Sequence, residues 1–221
     1  QKLKTNKKAG ITCCLKNLVG INTYKNFLPH CSIGTPDVGG DQFPGNQTTS
    51  KVESKIMPFI HQKILINPKL AKIISPIMGL SRKIFGSNEK TIRGGSWYGN
   101  DTLWRMVLDL NKFLFYATSD NKMQGDDWCN AKKYIGIVDA VIAGEGNGPK
   151  APDPVNMGYI ICGINPVAID SVCARLMGFD PWKIPSIKDA FGIQEFKLVS
   201  FTYPEITVEF DSESYLIKQI P

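Results

Sequence analysis

Two short apolar runs, YIGIVDAVI at 134–142 and YIICGI at 159–164, place the strongest constraint on the fold. Runs of this length are typical of buried strands, and the first opens into a glycine-rich stretch, GEGNGP at 144–149. The second leads into Asn165-Pro166, a pair typical of a helix start, and apolar residues then recur at helical spacing to Met177. This order predicts an α/β fold, layered, with a largely parallel sheet and flanking helices.

Further elements follow from the same kind of pattern. Apolar residues at helical spacing predict a helix over 101–117, and alternation predicts one or two strands within 196–210. Residues 11–19 resemble a buried element with no helix or strand before it to pair with, so we expect that an N-terminal part of a longer domain has been removed. The chain, 1–221, is predicted to form a single α/β domain with a basic helical insertion at 51–90.

The charges are unevenly distributed along the chain. Residues 1–93 contain 15 Lys and Arg against 4 Asp and Glu, whereas residues 94–221 contain 11 against 16. A basic first part favours an anionic partner, for which we expect a small molecule or a lipid-linked sugar and not a nucleic acid. Residues 51–86 could make a peripheral membrane contact or dock on a partner. They could equally be a helical subdomain whose lysines point outward.

Cysteine usage and hydropathy indicate a reducing compartment. The six cysteines never occur as C-x-x-C, and several lie in apolar runs, so we interpret them as reduced thiols and expect no iron–sulfur cluster and no zinc site. The sequence has neither a signal-peptide pattern nor an uncharged apolar run of about 18 residues. We therefore predict a cytoplasmic protein, with residues 51–86 able to place it at the inner face of the membrane.

The glycine-rich stretch surrounds one carboxylate, that of Glu145. It is neither a dinucleotide fingerprint nor a phosphate-binding loop, because G-x-G-x-x-G and a following Gly-Lys-Ser/Thr are both absent. An acid on an uncluttered loop at a strand end suits a general base or a metal ligand, and Asn147 beside it suits substrate binding. The alternative is a tight turn whose acid faces solvent.

Four aspartates near predicted element ends are candidate ligands for a divalent metal ion. Asp139 lies in the first apolar run, Asp170 one turn into the helix after Asn165, Asp41 in a long irregular segment and Asp101 at a helix start. Carboxylate oxygens suit Mg²⁺, Mn²⁺ or Ca²⁺. Two of these acids have a structural alternative, which is a salt bridge for Asp139 and interaction with the helix dipole for Asp170.

Basic and polar residues at other element ends are candidates for holding an anion. Lys16 and Lys25 are predicted to bind an anionic group, and Lys16 is also a candidate catalytic residue. Asn100 and Arg105 flank a helix start, where free N–H groups favour oxyanions, although Asn100 could be a plain helix cap. His30 is predicted to move a proton, with an ordinary loop histidine as the alternative.

Five separated motifs resemble a known family. They are KKAGITCCLKNLVGI, LPHCSIGTP with the following GGDQFP, GNDTLWRMVLDLNKFLFYA, IVDAVIAGEGNGP and INPVAIDSVCARLMGFDPWKIP, and together they cover most of residues 2–190. They resemble the bacterial "domain of unknown function 362" family, in the branch found near surface-polysaccharide genes. The resemblance implies no firmly assigned reaction.

Departures from the family pattern qualify what the resemblance implies. Some relatives carry a ferredoxin-like module whose cysteines this chain lacks, and an N-terminal α/β half usually precedes these motifs. Asn6 stands where the family often has the histidine of K-T-H, and Thr23-Tyr24 stand where it tends to have G-D. If those positions carry chemistry in the family, this member is altered.

The function predicted from the sequence is metal-assisted chemistry on a phosphate-bearing small molecule or lipid-linked sugar of a glycan pathway. Two alternatives remain open at this point. One is a non-catalytic binding or adaptor protein that docks on a membrane or a partner. The other is a redox protein that takes its cofactor from another chain.

Overall fold

A computed structural model describes residues 1–23, 27–45, 94–125 and 132–220. The chain divides into two compact units. The first comprises Gln1–Leu28 and Leu103–Pro221, and the second comprises Pro29–Thr102. Lys25 and the predicted helical insertion at 51–90 lie outside the described residues.

The first unit contains a four-stranded sheet in the order β2-β1-β3-β4, built from β1 (Lys2–Asn6), β2 (Gly10–Thr12), β3 (Gly136–Asn147) and β4 (Ala151–Gly163). Strand β1 pairs parallel with β3, whereas the β1–β2 and β3–β4 pairs are antiparallel. A fold that mixes helices and strands is therefore confirmed. The largely parallel sheet is not confirmed, because the described sheet is mixed and mostly antiparallel.

Four described α-helices accompany the sheet in the same unit: α1 (Cys14–Ile21), α2 (Thr102–Tyr116), α3 (Pro166–Leu176) and α4 (Pro185–Gly192). The bounds of α2 and α3 confirm the helices predicted at 101–117 and from 165 to about 177. Helix α3 begins where predicted because the Asn165 side chain accepts hydrogen bonds from the backbone N–H groups of Val167 and Ala168, at 2.8 and 3.1 Å.

A second, two-stranded sheet completes the first unit. Its strands are β5 (Thr207–Phe210) and β6 (Glu213–Leu216), paired antiparallel. They lie at and beyond the end of the segment 196–210 that was predicted to hold strands. Short 3-10 helices cover Pro181–Lys183, Tyr203–Glu205 and Ile217–Gln219. Among the described helices, none is long and apolar enough to cross a membrane.

The core of the first unit joins the sheet to the helices. Leu3 of β1 and Val138 of β3 are fully buried in one cluster with Leu15 of α1, Val107 of α2 and Cys173 of α3. Strand β3 alternates between buried and exposed positions over its first half. The run at 134–142 therefore has one solvent-facing side, which explains how it accommodates a charged Asp139.

The expectation that residues 11–19 have no earlier element to pair with is wrong. Strand β1 precedes them and pairs with β2 through Lys4 opposite Thr12 and Asn6 opposite Gly10. The run then breaks between Thr12 and Cys14, where strand β2 ends and helix α1 begins. The Asn6 side chain secures this hairpin by donating to Thr12 Oγ1 at 3.0 Å and accepting from the Lys8 and Ala9 N–H groups.

The glycine-rich stretch is part of a strand and not a loop after one. Strand β3 runs through it to Asn147, and each residue has a partner in β4, with Glu145 opposite Asp153. Glycine is required at Gly148 by close packing, since a Cβ there would lie 2.0 Å from the Thr5 carbonyl oxygen of β1. The glycines therefore let strands β1 and β4 approach β3 closely.

Candidate functional site

In the second unit, Asp41 binds three backbone N–H groups from two places in the chain. It is 4% exposed, and its carboxylate accepts from Ser32 N at 2.6 Å and from Asp101 N and Thr102 N at 2.7 Å each. The carboxylate thus holds the segment around Ser32 against the residues that lead into helix α2. This is a structural role, and metal binding by Asp41 stays a prediction.

Asn100 has a comparable structural role beside Asp41. Its buried amide donates to the carbonyl oxygens of His30 and Gly95, at 2.9 and 3.0 Å. The N–H groups of Asp101 and Thr102, which follow it, bond to Asp41, and the alternative that Asn100 caps helix α2 stays a prediction. His30 is partly buried and Asp101 is exposed. The second unit therefore contains His30, Asp41, Asn100 and Asp101, and their predicted functions stay predictions.

In the first unit, Asp170 links two helices. It lies in the first turns of α3, is 2% exposed, and accepts from Cys14 N at 2.8 Å and from Leu15 N at 3.3 Å. These are the orphan N–H groups at the start of α1, whose own N-cap residue, Cys13, provides no side-chain cap. Burial raises the pKa of Asp170 to about 7, against hydrogen bonds from Cys13, Leu15 and Cys14 that lower it.

Sulfur atoms surround the Asp170 carboxylate. The Cys13 and Cys14 sulfurs and a carboxylate oxygen of Asp170 lie within 4.8 Å of one another, and Cys173 and Tyr134 influence the pKa values of Cys13 and Cys14, respectively. Burial raises the pKa of Cys13, and the hydrogen bond with Cys13 followed by burial raises that of Cys14. Burial also raises the pKa of Tyr134. Without a bound cation, the thiols are therefore protonated at neutral pH.

Cys13, Cys14 and Asp170 could hold a metal ion. Their sulfur atoms and a carboxylate oxygen all lie within 4.8 Å of one another, and all three residues are buried. They form the one group of three or more such ligands that the described ranges contain. Asp170 is a predicted ligand, whereas the two cysteines were interpreted as small hydrophobic residues.

The other predicted residues of the first unit lie on its surface. Asp139 is exposed and forms an ion pair with Lys2 at 2.9 Å, and this hydrogen bond lowers the pKa of its carboxyl. Glu145 and Asn147 are exposed on β3, and the exposed Asp153 lies opposite Glu145. The Arg105 guanidinium is 4.3 Å from the ring centre of Trp104, within the range of a cation–π contact.

Lys16 lies in a cationic environment. It is partly buried in the first turn of α1, and burial followed by the charges of Lys4 and Lys8 lowers its pKa. No carboxylate is among the charges that shift it, within the part of the chain that the structure describes. Lys4, on β1, is also partly buried and lies beside the glycine-rich stretch, because Lys4 pairs with Gly144 of β3. We call Lys4, Lys8 and Lys16 the lysine cluster.

Sequence reasoning found Lys16 but missed its neighbours. Lys4 and Lys8 fall in a lysine-rich N-terminal stretch, KLKTNKK at 2–8, which carries no recognised motif. The available signal was that this stretch precedes the Lys16 element directly, so that a hairpin would bring them together. The cysteines of the metal-ligand group were missed because adjacent cysteines match no metal-binding spacing.

Comparison with known proteins gives one finding. A protein family described as "Domain of unknown function (DUF362)" matches residues 1–175, which include the lysine cluster and the Cys13, Cys14 and Asp170 group. No curated protein and no solved structure matches the chain. Residues 176–221, which hold helix α4 and the second sheet, lie beyond the matched range.

Proposed function

We propose that this protein, which belongs to the DUF362 family, binds a phosphate-bearing small molecule through its lysine cluster. The observation that carries the proposal is the environment of Lys16. The partly buried ammonium of Lys16 is destabilised by lost hydration and by repulsion from Lys4 and Lys8, and both effects lower its pKa. An anion placed among the three ammonium groups would relieve both effects, so binding there is favoured.

The chemistry of the cluster favours phosphate over a single carboxylate. Lysine binds phosphate as a compact point charge, and three lysines can balance the multiple charges of a phosphate ester or diphosphate. A phosphate also has several negatively charged oxygens that point in different directions, so lysines from separate helices, strands and turns can each bind one of them. Lys4 comes from β1, Lys8 from the turn after it, and Lys16 from α1.

Strand β3 passes beside the cluster at Gly144 and carries exposed polar residues further along. Lys4 is paired with Gly144, and Glu145 and Asn147 follow on the same strand. We propose that these two side chains contact the uncharged part of the ligand, such as a sugar. Lys16 would balance charge that develops on a phosphate oxygen during group transfer.

Metal-assisted chemistry on a ligand of a glycan pathway stays a proposal. Mg²⁺, Mn²⁺ or Ca²⁺ would suit a phosphate ligand, since such ions are often held by one or two carboxylates together with substrate phosphates. Glu145 and Asp153 are the exposed carboxylates nearest to each other on β3 and β4, and they could supply such oxygens. Asp41 and Asp170 already accept backbone hydrogen bonds.

Binding of inorganic pyrophosphate, measured by isothermal titration calorimetry at low salt, tests the proposal. We expect Lys16→Gln to weaken binding about tenfold and the double variant Lys4→Gln/Lys16→Gln to weaken it about 100-fold. Each substitution removes one ammonium that attracts the negatively charged ligand. Added salt should weaken the wild type more than the pair. Lys218→Gln, which removes one exposed charge far along the chain, should bind like the wild type.

Two results would contradict the proposal. One is an affinity that Lys16→Gln leaves unchanged, and the other is an equal loss with Lys218→Gln, which would show a general charge effect. If pyrophosphate binds as expected, phosphorus NMR of the protein with sugar phosphates and Mg²⁺, Mn²⁺ or Ca²⁺ then separates an enzyme from a binding protein. New phosphorus resonances mark turnover, and unchanged spectra favour the adaptor alternative.

A further inference from the structure

We propose that Cys13, Cys14 and Asp170 form a structural site for a thiophilic divalent metal ion, with Zn²⁺ as the physiological candidate. The inference is independent of the lysine cluster and of the proposed function. It also contradicts what the cysteine spacing predicts, since no C-x-x-C pair is present. It rests on the geometry of the ligand atoms, on their hydrogen-bonded surroundings and on charge balance.

The ligand atoms are close enough to share one ion. Two sulfurs and a carboxylate oxygen lie within 4.8 Å of one another, and tetrahedral Zn–S and Zn–O bonds of about 2.3 and 2.1 Å place ligand atoms about 3.6 to 3.8 Å apart. The ligand atoms therefore need to move toward one another by about 1 Å at most. Sulfur ligands favour zinc over Mg²⁺ or Ca²⁺, which take oxygen ligands.

Each ligand has a neighbouring group that can support it. The Cys173 thiol influences the pKa of Cys13, and the Tyr134 hydroxyl influences that of Cys14, so each lies beside its cysteine. Asp170 accepts from the backbone N–H groups of Cys14 and Leu15. Outer groups of this kind orient metal ligands and stabilise their charged forms. The sulfurs also lie at the N-terminus of α1, where the helix dipole favours thiolates.

Metal binding at this buried site does not increase the net charge that is buried. Two thiols would lose their protons to solvent as two metal–sulfur bonds form, and the carboxylate would add a metal–oxygen bond. The ion contributes two positive charges and the thiolates two negative ones, so the net charge of the cluster stays that of the Asp170 carboxylate. No redox change is involved.

The burial of the group indicates a closed, structural site. Cys13, Cys14 and Asp170 are 0%, 4% and 2% exposed, so substrate has no direct path to the ion. The ion would link the start of α1 to α3. Cys14 and Asp170, which already share a hydrogen bond, are 156 residues apart in the sequence. Metal uptake is then expected to accompany folding, and bound metal is expected to stabilise the chain.

Cobalt substitution of the full chain tests the inference. Protein refolded with one equivalent of Co²⁺ after chelator treatment should show sulfur-to-cobalt charge-transfer absorption in the near ultraviolet, and Zn²⁺ should displace it. At least two protons, one from each thiol, should be released for each Zn²⁺ bound, as measured by calorimetry in buffers of different ionisation enthalpy. Cys13→Ser and Cys14→Ser should each lose the absorption, whereas Cys162→Ser, which alters an exposed cysteine, should keep it.

The proton count keeps the test decisive if a variant fails to fold, because it uses the wild type alone. Wild-type protein that binds no Co²⁺ or Zn²⁺, or that releases fewer than two protons on binding, would overturn the inference. So would a charge-transfer band that persists in folded Cys13→Ser and Cys14→Ser. Pyrophosphate binding is a separate readout, so either proposal can fail without the other.

Discussion

Replacing Asp170 with alanine is expected to lower the free energy of unfolding by about 3 kcal/mol. The change leaves the N–H groups of Cys14 and Leu15 buried without their acceptor and opens a cavity between α1 and α3. Asp170→Asn should cost less, because its amide oxygen can still accept one of these hydrogen bonds. The measurement is denaturant unfolding, made with a chelator present so that no metal contributes.

Asp139→Asn is the matched control for Asp170. This exposed acid pairs with Lys2 on the surface, and its replacement should change the free energy of unfolding by less than about 0.5 kcal/mol. If Asp170→Ala were as mild as this control, Asp170 would not be the cap that orders helix α1. The proposed metal site would then lack its fixed ligand.

Replacing Gly148 with alanine is expected to destabilise the fold by about 2 kcal/mol. The new Cβ would approach the Thr5 carbonyl oxygen to 2.0 Å, and since that oxygen belongs to the backbone of β1, the strand itself must move. Thermal or denaturant unfolding measures the effect. Because Lys4 precedes Thr5 on the same strand, the variant should also weaken pyrophosphate binding.

Gly20→Ala is the opposite case and the control for Gly148. Gly20 lies in helix α1, where an added Cβ meets nothing within 4 Å. Alanine there should stabilise the protein by up to about 1 kcal/mol, because it favours the helix. A Gly148→Ala variant as stable as the wild type would show that β1 does not pack against the glycine-rich stretch as described.

Helices α2 and α3 were predicted from the sequence because their signals are local, whereas α1 and α4 were not predicted as helices. Helix α3 has its own cap, Asn165, with proline next to it, and helix α2 has an apolar stripe over four turns. Strand β1 gave no such signal, since KLKTN is short and mostly polar. What makes it a strand is its position between β2 and β3, and this depends on residues more than 130 positions away.

The glycine-rich stretch was misinterpreted for a physical reason. Clustered glycines usually mark loops, and the sequence does not show that two strands approach this one closely. The structure thus answers why Glu145 is surrounded by glycine. Gly144 lies against Pro152, Gly146 adopts a positive φ of 67°, and Gly148 lies against Thr5, while the Glu145 side chain is exposed.

The candidate sites also depend on contacts between residues that are far apart in the sequence. Lys16 could be singled out because it ends an apolar run, but its pKa is shifted by Lys4 and Lys8, which only the hairpin brings near. Asp170 was predicted at the edge of a buried stripe, whereas the structure buries it and directs its carboxylate to the backbone of a helix that begins with Cys14. Contacts across so many residues arise from the topology and not from local pattern.

The pKa of Lys16, with and without pyrophosphate, is the most direct test of the anion site. It can be followed by NMR of protein labelled at the lysine Cε carbons, with the Lys16 resonance identified from Lys16→Arg. We predict that Lys16 titrates at lower pH than the exposed lysines, and that pyrophosphate moves its midpoint upward, because an anion stabilises the ammonium. A Lys16 that titrates like the exposed lysines and does not respond to pyrophosphate would contradict the account.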